Sequence, residues 1–419
     1  MALFYFLIVT LPFLSHPLFD RHLGPLTFEK YLGAACFLYA VFHLAARGRV
    51  PRIFRSVQAR AYLAFFLLAA AWWLALGERA TATTMLVIYG SNLLFLVTVA
   101  ALVDSRERLR RALVVAVGAM GLVSLYVVRD WQVSSRMYGP AYRPGYIAGD
   151  ANYFTASILL VMPIALALIW NDRSRLVKLF SLGSLVVTLA ATTLAASRGG
   201  FLGLVAMMGW LVWHARRRLR YLLPVGVLLG VFLAISPLSP VHRILHPDYS
   251  DTDSVAIHLE LWRAGLRIVR EHPLAGVGIG QFKSVVGQYS SDKRLSWLAH
   301  NTYLEIASEM GIPGLLLFLC VFGFSFRSFG EARESAERDG DAWLRAVALG
   351  AQAGLAGFFV AAFFVSAEFL RMFWFVLFLS IPVRAIAAGK LAREPRATAS
   401  PGISAAQDWP PAMGARSDA

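Results

Sequence analysis

Met85-Leu-Val-Ile-Tyr-Gly-Ser-Asn-Leu-Leu-Phe-Leu-Val-Thr-Val-Ala-Ala-Leu-Val103 contains no charged side chain. Coiled as a helix it is about 28 Å long, enough to cross a hydrocarbon core of ~30 Å. Similar runs recur outward from it, at Ile158–Trp170 with its flanks and at Leu315–Phe326. Of the 419 residues 58% are hydrophobic and 16% charged, whereas a soluble domain is about half apolar and a quarter charged. The chain therefore reads as an all-α integral membrane protein.

The apolar runs predict about twelve transmembrane helices, near 2–19, 26–46, 61–77, 82–103, 112–128, 153–170, 179–196, 201–214, 221–236, 302–326, 346–366 and 371–389. Basic residues then fall on alternate sides. Arg47, Arg49, Arg52, Arg55 and Arg60 follow the second span, Arg106, Arg108, Arg110 and Arg111 the fourth, and Arg173, Arg175 and Lys178 the sixth. Arg216, Arg217, Arg218 and Arg220 follow the eighth, and Arg327, Arg333, Arg338 and Arg345 the tenth. Short loops rich in Lys and Arg stay in the cytoplasm, so both termini are expected there. The net charge of +15 is explained by this topology and gives no reason to invoke nucleic acid.

Residues 1–236 thus hold spans one to nine, 237–301 a helical periplasmic loop domain, and 302–389 spans ten to twelve. The tail, 390–419, is too rich in Pro, Ala, Ser and Gly to bury a core and is expected to be a disordered cytoplasmic segment. The first run, Met1 to Phe19, lacks a basic leader and a small-residue cleavage site, and reads as a retained span. Cys36 and Cys320 sit inside apolar runs as fillers. No repeat suggests the paired halves of many transporters.

Polar chemistry collects in the outside segments: Arg129–Asp150, the Ser197–Gly200 turn and Pro237–Ala299. In the last, Asp253 or Ser254 can cap a helix with an apolar stripe of Ile257, Leu261, Ala264, Leu266 and Ile268, ended by Pro273. Arg198, in Ala-Ser-Arg-Gly-Gly-Phe-Leu, breaks the positive-inside trend with no long loop to excuse it. A guanidinium at a span boundary calls for an anion, and its planar fork suits phosphate; snorkelling to lipid phosphates is the plainer reading. Arg136, Arg143, Arg263, Arg267 and Arg270 also lie outside, and Arg263 and Arg267 are spaced to share one helix face. A diphosphate is the anion such a cluster would take.

His300 opens His-Asn-Thr-Tyr-Leu-Glu-Ile-Ala-Ser-Glu-Met-Gly where the chain re-enters the membrane. Its imidazole can accept a proton from an attacking sugar hydroxyl, though a lone interfacial histidine is commonly structural. Glu305 and Glu309 follow in the helix entry. Gly276-x-Gly278-x-Gly280 before Lys283-Ser284 is no phosphate loop, because no glycine directly precedes the lysine; it reads as a turn. His246, Asp248, Asp251 and Asp253 lack the ligand pattern of a calcium loop and read as solvated acid. No metal and no cofactor are expected.

Arg198 with Leu202, and His300 with Gly311, form Arg-x3-Leu and His-x10-Gly patterns that resemble those of the O-antigen ligase and polymerase superfamily. The run from Leu261 to Phe282 is similar to that family's outer loop, and Asp150-Ala-Asn152-Tyr-Phe to its Pro-Asn-x-x-Ala segment. Many relatives carry Arg where this chain has His258. The resemblance implies a metal-independent, inverting transfer of O-antigen from undecaprenyl diphosphate to a sugar hydroxyl of lipid A-core, at the periplasmic face of the bacterial inner membrane among membrane lipids. Arg198 and His300 would be catalytic. Arg143, Arg263, Arg267 and Arg136 would hold the diphosphate, with Asn152, His258, Asn301 and Glu305 lining the site. O-antigen polymerase or protein O-oligosaccharyltransferase activity are the near alternatives, and a lipid-linked glycan transporter the distant one.

Overall fold

The computed structural model describes residues 1–14, 22–23, 26–46, 50–76, 80–139, 142–145, 150–214, 226, 230 and 249–389. Nearly all of the span expected at 221–236, together with His246, Asp248 and the tail after residue 389, lies outside the described residues. Among the described residues the regular structure is helical apart from one short hairpin, His22–Leu23 with Leu26–Thr27.

The helices are α1 (Ala2–Thr10), α2 (Phe28–Ala46), α3 (Val57–Leu76), α4 (Ala80–Leu102), α5 (Arg106–Tyr138), α6 (Ala151–Asn171), α7 (Arg175–Ala195) and α8 (Arg198–His214). Then come α9 (Tyr249–Glu271), the single turn α10 (Phe282–Val285), α11 (Thr302–Arg338), α12 (Ala342–Ala361) and α13 (Arg371–Ala387). Seven of these, α3 to α7, α11 and α12, are long and apolar enough to cross a membrane. Helices α1, α2, α8 and α13 lie where spans were expected but fall short by that measure.

Polar caps set several starts: Ser105 accepts from the Arg108 amide at 3.3 Å, Asp150 from Asn152 and Tyr153, and Asp341 from Leu344 at 3.0 Å. Side-chain oxygens there satisfy amides that a helix start leaves open. Two starts differ from expectation. Helix α9 begins at Tyr249, so Asp253 and Ser254 lie within it. Helix α8 begins at Arg198 itself, so the turn from α7 is only Ala196 and Ser197, with Ala196 left-handed at φ 47°.

Glycines bring α6, α8 and α12 together. A Cβ on Gly350 would lie 2.8 Å from the Pro163 carbonyl oxygen, one on Gly354 2.8 Å from that of Leu160, and one on Gly357 2.8 Å from that of Gly203. Lipid tails provide no hydrophobic drive between helices, so such close backbone contact supplies the packing energy. The trio presents the starts of α6 and α8 and the end of α12 at one end of the bundle.

The other end carries the expected cytoplasmic arginines in ion pairs: Arg110 with Asp172 at 2.7 Å, Arg108 with Asp104 at 2.9 Å, Arg327 with Glu331 at 2.9 Å, and Arg106 with Asp341.

Helix α11 breaks at Gly311 (φ 72°, ψ −179°), and Pro313 has no amide to offer the Glu309 carbonyl. The outer segment takes up the freed groups: Val277 N donates to Ser308 O at 2.8 Å, Gly278 N to Glu309 O at 3.0 Å, and Ile312 N to Pro273 O at 2.8 Å. The Glu309 carboxylate accepts the Gly280 and Phe282 amides at 2.7 and 3.0 Å. Gly276, Gly278 and Gly280 all have positive φ, and a Cβ on Gly276 would sit 2.4 Å from the Glu309 carbonyl carbon. The glycine run is therefore a docking turn, and it fixes α9 over the start of α11.

Candidate functional site

At the end of α6 where Asp150 caps the helix, its carboxylate accepts the Asn152 and Tyr153 amides at 2.6 and 2.9 Å. Two residues past the cap, Asn152 Oδ1 accepts the Ser197 hydroxyl at 2.9 Å and the Arg143 guanidinium at 3.3 Å, while Arg143 Nε donates to Ala195 O at 3.0 Å. Arg143 and Asn152 thus brace the α7–α8 turn. Ser197 Oγ in turn receives the Gly200 amide at 3.2 Å, and Arg198 stands between them, half-buried.

On the facing side, α9 buries a narrower stripe than its sequence suggested: Leu261, Ala264 and Ile268 are fully covered, but Ile257 and Leu266 are exposed. Trp262 Nε1 donates to Ala299 O at 3.1 Å, and Gly265 packs on Leu304. This seating aims His258 at His300, with ring centroids 4.8 Å apart. His300 is itself left-handed (φ 48°); among the described residues only it and Ala196 have positive φ without being glycine. Both such residues flank the site, where strain of ~1–3 kcal/mol per residue persists only if the surroundings enforce it.

Burial, then the charges of His300 and Arg198, push the His258 imidazole down to about 4. His300 is lowered by burial and pulled back upward by the Asp150 carboxylate. Both rings are therefore neutral at neutral pH, as a proton acceptor must be. Arg198 and Asp150 both act electrostatically on this pair. A guanidinium and an imidazole base at one mouth can hold an anionic leaving group and deprotonate a hydroxyl beside it.

Other expected site residues lie differently. Counting about 100° per residue, Arg263 and Arg267 sit about 140° and 180° round α9 from His258. Arg263 is exposed, 3.9 Å from Glu260, and Arg267 donates to Tyr289 O at 2.6 Å. Glu260 accepts the Ser291 amide and the Ser290 and Ser291 hydroxyls, which hold its carboxyl at about 2. These groups fasten the outer loop. Arg136 is exposed in the last turn of α5. Asn301 caps α11, accepting from Leu304 N at 3.0 Å. Glu305 is only 3% exposed and turns to the Ala299 amide at 3.0 Å and to the Ser366 hydroxyl.

Two contributors escaped the sequence reading. Asp150 lies in the Asp150-Ala-Asn152-Tyr-Phe motif, and its charge bears on His300. The loop 362–370 overlaps the span expected at 346–366, but Phe364 covers Gly199, with a Cβ there only 2.6 Å away, and the loop receives Thr302 through the Ala362 and Val365 carbonyls at 2.9 and 3.0 Å. It joins the Arg198 side of the mouth to the His300 side.

Residues 183–319 match the family model described as O-antigen ligase. That segment includes Arg198, His258 and His300 but stops short of Arg143 and Asn152, which precede it. Over 195 residues the chain is 27% identical to an O-antigen ligase of Pseudomonas aeruginosa, covering 46% of this chain and 44% of that protein. The chain thus matches less than half the length of this relative.

Proposed function

We propose that this chain, whose residues 183–319 match the O-antigen ligase family model, transfers a glycan from undecaprenyl diphosphate to a sugar hydroxyl of lipid A-core. The observation that carries this reading is the grouping of Arg198, His258 and His300 at the bundle end opposite the arginine ion pairs. With about twelve spans and both termini in the cytoplasm of a bacterial inner membrane, that mouth opens to the periplasm. The loop of 237–301 and the cytoplasmic tail of 390–419 complete the layout.

His300 takes the proton of the acceptor hydroxyl as its oxygen attacks the anomeric carbon, and the sugar–phosphate bond breaks toward the diphosphate. Arg198 meets the charge that develops on the leaving oxygen, an interaction worth about 3–4 kcal/mol for a well-placed donor. His258 stands beside them, and Arg143 steadies the turn that carries Arg198. Attack from the face opposite the diphosphate inverts the anomeric centre. Guanidinium charge takes the part that a divalent cation plays elsewhere, so the reaction proceeds without metal.

The test is transfer in proteoliposomes by the purified chain, with radiolabelled undecaprenyl-diphosphate-linked glycan, lipid A-core and EDTA. Labelled lipid A-core is the expected product. Donor moved across the bilayer without chemical change would identify a transporter, chain growth on the donor a polymerase, and label on protein Ser or Thr a protein-directed transferase.

A further inference from the structure

We propose that Glu305 is a positioning residue for His300: its carboxylate holds the Ala299 amide and the Ser366 hydroxyl so that the imidazole stays turned toward the mouth. This rests on His300 being the base of the proposed transfer.

His300 is left-handed, a conformation unfavourable for a residue with a Cβ, so its neighbours must impose it. The peptide before it is gripped at both ends, Ala299 O by the Trp262 indole at 3.1 Å and Ala299 N by Glu305 Oε2 at 3.0 Å. After it, the Thr302 amide is fixed to the loop 362–370, and Thr302 Oγ1 both donates to Val365 O at 2.7 Å and accepts from Ala367 N at 2.9 Å. The same Glu305 oxygen receives Ser366 of that loop. One buried oxygen therefore ties His300 to the segment whose Phe364 lies on Gly199, next to Arg198. Two donors converging on one acceptor suit a carboxylate or a carboxamide oxygen but not a side chain without an acceptor. With its paired oxygen turned inward and the residue 3% exposed, Glu305 is placed to act through the backbone of its neighbour and not on substrate.

The test compares purified Glu305→Ala, Glu305→Gln and Ser366→Ala with His300→Ala, measuring kcat and KM for a radiolabelled undecaprenyl-diphosphate-linked oligosaccharide and lipid A-core. Glu305→Ala should lose kcat by about a hundredfold, the order expected of a small misplacement of a catalytic group, with both KM values held. Glu305→Gln keeps an acceptor for Ala299 and should retain most activity. Ser366→Ala, with one of the two donors gone, should fall between.

Near-wild-type kcat in Glu305→Ala while His300→Ala is inactive would overturn the role of Glu305 alone. Activity in His300→Ala would overturn the parent reading instead. Equal loss in the Gln and Ala variants would also sink the positioning role. Should Glu305→Ala not accumulate, Glu305→Asp decides, being one methylene too short to reach both partners: unchanged kcat refutes the proposal, and reduced kcat at constant KM supports it.

Discussion

His258 and His300 face one another with ring centroids 4.8 Å apart, one from the outer helix α9 and the other from the entry of α11. A proton on either ring raises the cost of a second on its neighbour, and the Arg198 guanidinium adds to that cost at His258.

His300→Ala and Arg198→Ala should each reduce transfer by about a hundredfold or more, while the protein remains in the membrane at normal levels. Immunoblots of washed membranes alongside the transfer assay check both halves. Ligation near the wild-type rate in either variant would remove that residue's role.

The acid limb of the rate profile should lie below the ordinary imidazole range, because burial lowers His300. Asp150 raises it, so Asp150→Asn, which can still cap α6, should move the limb to lower pH. His258→Arg should move it the same way by placing a fixed cation near His300. A shift to higher pH in either variant would contradict the electrostatics.

Acidification should also cost stability. His258 binds its proton at about 4 in the folded chain and near 6.5 when unfolded. The unfolded state therefore takes up protons first, and stability falls as pH drops from about 6.5 toward 4. Melting temperatures in detergent should decline over that window, and His258→Gln should flatten the decline.

Gly311→Ala should destabilise the protein by about 2–3 kcal/mol or more, the order of an enforced left-handed residue with a clash. Its φ is +72°, and the added Cβ would lie 2.3 Å from Leu274 O. Gly183→Ala, with nothing within 4 Å of the new Cβ, should be neutral or gain up to about 1 kcal/mol from helix propensity. Thermal unfolding of the two variants in parallel provides the comparison.

Hydropathy located most of the bundle, since apolar runs at 61–77, 82–103 and 153–170 fall on helices 57–76, 80–102 and 151–171. It erred where apolarity and helicity part. Phe363, Phe364 and Val365 extended the expected span to 366, yet the chain leaves the helix at Ala361 and uses these residues to pack the mouth. Helix α5 runs on to Tyr138 through the polar stretch Arg129–Arg136, where mean apolarity no longer marks a span.

The site was legible to the degree that it follows from helix ends. Arg198 begins α8 and His300 stands two residues ahead of α11, and both helices run antiparallel to α12, which gathers their beginnings at its end. Arg263 and Arg267 share a side of α9, but position along a helix does not say which side meets a neighbour. The buried Leu261, Ala264 and Ile268 would have indicated it. That Glu305 folds back to Ala299 is invisible to spacing alone, because it depends on the left-handed step at His300.

The break at Gly311 also makes the stretch from His300 a ruler. Its far end is pinned by Pro273 to Gly278 and its near end by Ser366 and Trp262, so its length is set by two anchors that belong to other segments. Adding one residue between them would turn the near end by about 100° against the far end and swing the buried Ile306, Ala307 and Met310 out of their packing. The ten-residue gap between that histidine and that glycine is thus a mechanical dimension, and variation in the family should be freer in composition than in count.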